Sequence, residues 1–166
     1  HGYPMLIIAN NVMAHVPDLL DFVEGLGILC GLETQITIEN PSLANILVGN
    51  EPGEAALECQ FMGPTLKFKS DRVIAITGAN MSPKIDGELI PMWESIEIKA
   101  NQTLEMAFAT VGARSYIAFS GGINSEPWLG SRSTFHKAGV GGIEGRAIQD
   151  NQIIPLGKNR KIQLRK

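Results

Sequence analysis

The stretch KIDGELI, residues 84–90, sets Asp86-Gly87 between two short arms of alternating character. Asp-Gly suits the two left-handed central positions of a tight hairpin turn, so the stretch reads as two paired strands. The same two-residue period appears on both sides of it. TLKFK (65–69) and SIEIKA (95–100) alternate cleanly, and each should carry one wet and one dry face. AALECQF (55–61), RVIAITG (72–78), TLEMAFA (103–109) and RSYIAFSGG (114–122) follow at short intervals, separated by Gly, Pro, Asn or Ser. Short strands at this spacing predict a mainly-β fold, a barrel or a sandwich. ANQTL (100–104) and DNQIIPL (150–156) echo one another, each reading as an Asn-Gln turn that leads into an apolar strand.

Upstream the period changes. HVPDLLDFVEGLGILCGL (15–32) places Leu19, Leu20, Val23 and Leu26 near helical spacing, with Pro17, Asp18 and Asp21 at a helix start. ENPSLANILVGN (39–50) predicts a cleaner helix. Asn40 caps it, Pro41 sits in the first turn, and Gly49-Asn50 stops it. The chain therefore divides into a helical segment over 1–50, a β domain over 51–157 and a basic tail over 158–166, where Lys158, Arg160, Lys161, Arg165 and Lys166 gather.

The chain has 166 residues, 44% of them hydrophobic and 19% charged, enough for one core without disulfide staples. A net charge of −3 argues against a nucleic-acid partner. Cys30 and Cys59 fit neither a metal pair nor a secreted framework, and read as reduced thiols of a cytoplasmic protein. MLIIANNVMA (5–14) is too short and too interrupted by asparagine to span a bilayer. The opening on His1 reads as a trimmed start.

Most familiar chemical motifs are missing. GVGGIEG (139–145) puts Glu144 where a dinucleotide fingerprint needs glycine, and it lacks the Lys-Ser/Thr of a P-loop. His1, His15 and His136 have no partner at metal-ligand spacing, so no metal site is expected. No GxSxG elbow occurs. What remains is LGSRST (129–134). Ser131, Ser133 and Thr134 offer hydroxyls, and Arg132 offers a planar fork suited to carboxylate or phosphate. Arg114 would add a second cation, and Gly130, just before the hydroxyls, frees backbone N–H groups to point at an anion. Seven of the 18 glycines lie between Gly121 and Gly145. They serve either corners between strands or close approach to a ligand, and spacing alone favours corners. These residues are candidates for binding an anion; the catalytic residues are unknown.

Taken in order, ANILVGN (44–50), AALECQFMGPTLKF (55–68), ITGANMSPKIDGELIPMW (76–93), GARSYIAFSGGI (112–123), LGSRST (129–134), GGIEGRAI (141–148) and IIPLG (153–157) resemble the family of biotin-dependent carboxyltransferases and the C component of 5-oxoprolinase. That group is also called allophanate hydrolase subunit 2 and includes the KipA-like regulators. The resemblance covers the family's N-terminal half only. The family's Gly-Ala-Met-Asp motif is missing, with Thr37 near the position of its Asp, and two Gly-Asp turns read Asn101-Gln102 and Asn151-Gln152 here.

The resemblance implies a cyclophilin-like β-barrel. It implies work beside a KipI-like B component, and beside an A component where the reaction is ATP-dependent cleavage of 5-oxoproline to glutamate. On that reading the chain itself binds no cofactor and ATP enters through a partner subunit. Arg132 and Arg114 clamp the substrate anion, while Ser131, Ser133, Thr134 and Gly121-Gly122 orient it. The resemblance also admits a urea carboxylase-type carboxyltransferase, which would need biotin carried elsewhere because no Met-Lys attachment pair occurs here. A non-catalytic KipA-like regulator is its third implication.

Overall fold

In a computed structural model of the chain, residues 6–10, 35–39, 41–160 and 164 are described. The helix expected over 15–32, with His15 and Cys30, lies outside them, as does the cap Asn40. Two strands, β1 (Leu6–Asn10) and β2 (Gln35–Glu39), pair in parallel within the segment expected to be helical. One helix follows, α1 (Pro41–Leu47). It begins on the expected proline and ends at Gly49, whose φ of 70° takes the left-handed turn that closes a helix.

The remaining strands are β3 (Leu57–Gln60), β4 (Thr65–Lys67), β5 (Arg72–Asn80), β6 (Lys84–Ile85), β7 (Glu88–Leu89), β8 (Ser95–Ile98), β9 (Thr103–Glu105) and β10 (Val111–Phe119). They form two antiparallel four-stranded sheets, in the orders β3-β10-β5-β8 and β4-β9-β6-β7. The mainly-β expectation holds. Among the described residues no strand pairing joins the two sheets into a closed ring.

KIDGELI forms the expected hairpin. Lys84 pairs with Leu89 and Ile85 with Glu88. Asp86 and Gly87 take φ of 50° and 89°. The Asp86 carboxylate does more than turn the chain, because it accepts the Thr103 N–H and the Gln102 side-chain N–H at 2.9 Å each. That ties the hairpin to the turn before β9.

The echo between ANQTL and DNQIIPL is structural. Asn101 and Asn151 are both left-handed, with φ of 71° and 62°. Gln102 Oε1 accepts the Lys99 N–H, and Gln152 Oε1 accepts the Gln149 N–H, at 2.9 Å in both turns. Such a turn needs a first residue that tolerates positive φ and a second that supplies a side-chain acceptor. Asn-Gln supplies both without a carboxylate.

Burial explains which strands alternate. Leu66 and Phe68 turn inward from Lys67 and Lys69, so that stretch keeps a wet face. β5 and β10 instead run buried from Val73 to Thr77 and from Ser115 to Phe119. Their sheet is covered on both sides. One side carries Ile74, Ile76, Ile117 and Phe119 against Ile85 and Leu104 of the second sheet and Met106 just beyond it. The other carries Val73, Ala75, Tyr116 and Ala118 against Ala44 and Val48 of α1 and its end.

Cys59 lies buried in the inter-sheet core as a free thiol. Burial, with a smaller contribution from the Glu58 carboxylate, pushes it up to about 12. The unfolded thiol ionises near about 8.5. Its contribution to stability is therefore complete below that pH and is lost as pH climbs towards 12. In a Cys30→Ser background, a thiol-specific disulfide reagent at about pH 8 should react with the denatured chain and not with the native one. Rapid labelling of the native protein would contradict the burial of Cys59.

Candidate functional site

The LGSRST segment is a tight turn. Trp128 and Ser131 exchange backbone bonds, at 2.8 and 3.0 Å, across Leu129 and Gly130. Both central residues are left-handed, with φ of 48° and 78°. A second small turn follows, in which Phe135 and Val140 pair. The Ser131 hydroxyl accepts the Ser133 N–H at 3.1 Å and so fixes the chain just after the turn.

Arg132 is half-buried, and its guanidinium donates to the backbone carbonyl of Ser125. Ser125 is buried and returns the bond, its hydroxyl donating to the Arg132 carbonyl at 3.4 Å. The arginine is thus clasped by neutral groups. No carboxylate among the described residues pairs with it, so its positive charge is left for something else. Ser125 had no motif to announce it. Its only signal was its place in the same glycine-bounded run.

Two of the glycines that follow are there for close packing. An added Cβ at Gly141 would strike the Ser133 carbonyl, and one at Gly142 would strike the Thr134 hydroxyl. LGSRST therefore lies directly on GGIEG. The close approach is chain on chain. A recess of about 240 Å³ opens beside the turn, lined by residues including Glu126, Trp128, Val140 and Glu144, but by neither Arg132 nor the hydroxyls. Glu144 is held by Arg146 at 2.5 Å.

The other candidates sit on different supports. Arg114 is on β10, with its Nε 3.2 Å from a Glu58 oxygen across the β3 pairing. Gly121 and Gly122 form the turn after β10. Gly121 gives its N–H to Asn50 Oδ1 at 2.8 Å and packs on the Lys158 carbonyl, and Gly122 packs on Glu54. The structure therefore brings together Ser131, Arg132, Ser133 and Thr134, while Arg114 and Gly121-Gly122 are anchored by separate neighbours.

Asn50 belongs to a buried network that motif reading passed over. Its amide donates to Asn45 Oδ1 at 3.0 Å and to the Phe119 carbonyl at 2.8 Å, and Asn45 donates to the Glu54 carbonyl at 2.7 Å. Both asparagines of ANILVGN are buried to hold the chain around residues 119–121. Arg72 acts nearby, donating to the Ser120 and Gly157 carbonyls at 3.1 and 2.8 Å. Burial lowers its pKa.

A larger cleft lies elsewhere, between the end of β5 and the β6–β7 hairpin. It measures about 550 Å³ and includes Asn80, Ser82, Pro83, Leu89, Met92 and Trp93 in its lining. Among the described residues no group of three or more His, Cys, Asp or Glu side chains could hold a metal ion. No helix among them is long and apolar enough to cross a membrane.

Residues 39–166 match the profile of the carboxyltransferase domain, subdomains A and B. The C component of 5-oxoprolinase from Escherichia coli is 38% identical over 119 residues, which is 72% of this chain and 38% of that protein. The urea amidolyase of Saccharomyces cerevisiae is also 38% identical over 119 residues, 72% of this chain but 6% of that one. Among solved structures, the urea carboxylase of Kluyveromyces lactis superposes with a TM-score of 0.68 at 38% identity, covering 70% of this chain and 10% of that one. The chain thus spans well under half the length of the curated relatives it matches.

Proposed function

The chain belongs to the carboxyltransferase domain family, subdomains A and B, and from that premise we propose that it is part of a 5-oxoprolinase-type, ATP-dependent amide-cleaving assembly in which the Arg132 loop holds a small anionic substrate. The observation that carries the binding role is the Arg132 guanidinium. It is fixed by the Ser125 carbonyl and has no carboxylate partner among the described residues. A rigid cation with open donors suits a carboxylate, and 5-oxoproline carries one. Ser133 and Thr134 follow it in the same loop, and their hydroxyls would add neutral donors. Arg114 and Gly121-Gly122 would take part only by acting on another portion of the substrate or on a partner.

The identity to the C component of 5-oxoprolinase supports the assembly, which would include a KipI-like B component together with an A component. ATP would bind through one of those partners, in the cytoplasm. Equal identity to urea amidolyase supports a second reading, a carboxyltransferase that receives carboxybiotin from another carrier. A KipA-like regulator without turnover is distinguished in the same experiment.

Purified chain, alone and mixed with the A and B components of 5-oxoprolinase, is assayed for ATP hydrolysis dependent on 5-oxoproline. Turnover is expected only in the mixture. Tight binding to the B component without turnover would replace the enzyme reading by the regulatory one. Activity that requires carboxybiotin and urea would replace it by the carboxyltransferase.

A further inference from the structure

We propose that the corner where the chain crosses between the two sheets is a docking surface for a second copy of this chain. Two crossings lie there side by side. Residues 61–64 lead from β3 to β4, and residues 106–110 lead from β9 to β10. Met62 and Phe108 pair across them, and directly opposed side chains of an antiparallel pair share a face. Phe61 gives its N–H to the Ala113 carbonyl at 2.7 Å and accepts the Ala109 N–H at 2.8 Å. Val111 is midway along the loop that those bonds close.

All four side chains are left in solvent. Phe61 is 58% exposed, Met62 55%, Phe108 70% and Val111 50%. Phe61 has φ 61°. A bulky residue in the left-handed region is an outlier, and it persists only where its surroundings fix it. Here its two backbone bonds do so. Beneath the patch, a Cβ added at Gly63 would strike the Met106 side chain, so the corner is already filled from inside.

Taking about 200 Å² for an aromatic side chain and less for Met and Val, the four expose roughly 400 Å² of apolar surface. That is a large patch for a monomer. Val111 pairs with Asn80, which shares the neighbouring groove with Leu89 and Trp93. Those two are also exposed and bring the apolar area to roughly 600 Å². A standard interface covers about 800 Å² on each partner, and about 65% of it is apolar between identical chains. The corner therefore supplies what a dimer of that size needs.

Charge selects the occupant. Residues 61–64 and 106–113 include no Asp, Glu, Lys, Arg or His, and neither does the lining of the groove. Arg114, next along the chain, is paired with Glu58. A charged partner surface buried here would lose water and find no counter-charge. A two-fold contact sets the patch against itself, and a patch without charge meets no repulsion in doing so. None of these residues belongs to the Arg132 loop, so this surface stands or falls separately from the proposed function.

The test is sedimentation velocity on the full chain from about 1 to 500 µM, the range in which an interface at the small end of stable ones associates. A concentration-dependent monomer–dimer equilibrium is expected. Phe108→Asp buries an unpaired charge twice in a two-fold contact and should weaken association at least about tenfold. Met62→Lys, opposite it, should do the same, and unchanged circular dichroism reports that each variant is folded. Leu129→Asp, on the separate Trp128–Ser131 turn, should associate like the parent. A chain that stays monomeric throughout overturns the proposal. If the B component of 5-oxoprolinase then binds the parent and not Phe108→Asp, the corner belongs to that partner instead. A folded Phe108→Asp or Met62→Lys that dimerises as well as the parent overturns it too, as does equal loss of association in Leu129→Asp.

Discussion

Asn50→Ala is expected to lower stability by about 3 kcal/mol, because two buried groups and one half-buried group lose their partner at once. The Asn45 side-chain oxygen, the Phe119 carbonyl and the Gly121 N–H all bond to the Asn50 amide. Each orphaned buried group costs roughly 1–3 kcal/mol, and admitted water recovers part of the sum. At about 2–4 °C per kcal/mol the thermal midpoint should fall by roughly 6–12 °C. An exposed pair gives the contrast. Lys99 bridges Asp71 and Glu97 at 3.5 and 3.0 Å in full solvent, and its removal should leave the thermal midpoint nearly unchanged.

Asn50→Asp refines the test. The carboxylate still accepts from Gly121 but turns an oxygen on two acceptors, the Asn45 amide oxygen and the Phe119 carbonyl. Its folded pKa should lie above the unfolded value. The stability of this variant is then greatest below the unfolded pKa and falls as pH rises through the folded one. Urea unfolding across roughly pH 3 to 7 measures both effects. An alanine variant within about 1 kcal/mol of the parent would mean that the network is dispensable.

The same asparagines show where sequence reading stops. In ANILVGN the helical spacing and the closing Gly-Asn turn are local, and both appear as expected. That Asn45 and Asn50 are buried depends on β10 ending 69 residues beyond Asn50, beside its amide. No local pattern carries that. KIDGELI lies at the other extreme, because its turn chemistry and two-residue period reside in seven consecutive positions. β5 and β10 were legible as strands but not as doubly covered ones, since continuous apolar runs do not say what lies on each face. The pairing of β1 with β2 left no local mark either. Parallel strands need a long connection and no tight turn.

The site was legible as chemistry and not as geometry. LGSRST supplied the hydroxyls and the guanidinium, and the structure keeps those four side chains in one loop. Arg114 was grouped with them by type, yet β10 gives it to Glu58. Spacing set corners against approach to a ligand and favoured corners, and chain-on-chain packing is a third use. Gly130 turns a corner, while Gly141 and Gly142 make room for Ser133 and Thr134. A bond such as that between Arg132 and the Ser125 carbonyl has no sequence signature, because any residue carries that carbonyl.

Arg132→Ala, in the assembled complex, is expected to raise the KM for 5-oxoproline by about 10- to 100-fold. That range corresponds to about 1.5–3 kcal/mol for a hydrogen bond to a charged group. Turnover at saturating substrate should change less, since the carboxylate is not itself part of the lactam bond that breaks. The substitution also removes the clasp on Ser125, worth about 1 kcal/mol, so the thermal midpoint should drop by only about 2–4 °C. Arg132→Lys keeps the charge but lacks the fork. A single ammonium cannot serve the Ser125 carbonyl and bind a carboxylate bidentately, so its KM should fall between parent and alanine. Ser133→Ala removes one neutral donor and should cost less than about tenfold. Added salt should raise the parent KM and leave that of Arg132→Ala nearly unmoved, because only the parent depends on an exposed charge pair. A KM for Arg132→Ala equal to the parent's, in a folded and assembled complex, removes the substrate anion from this loop and leaves LGSRST as a structural turn seated on GGIEG.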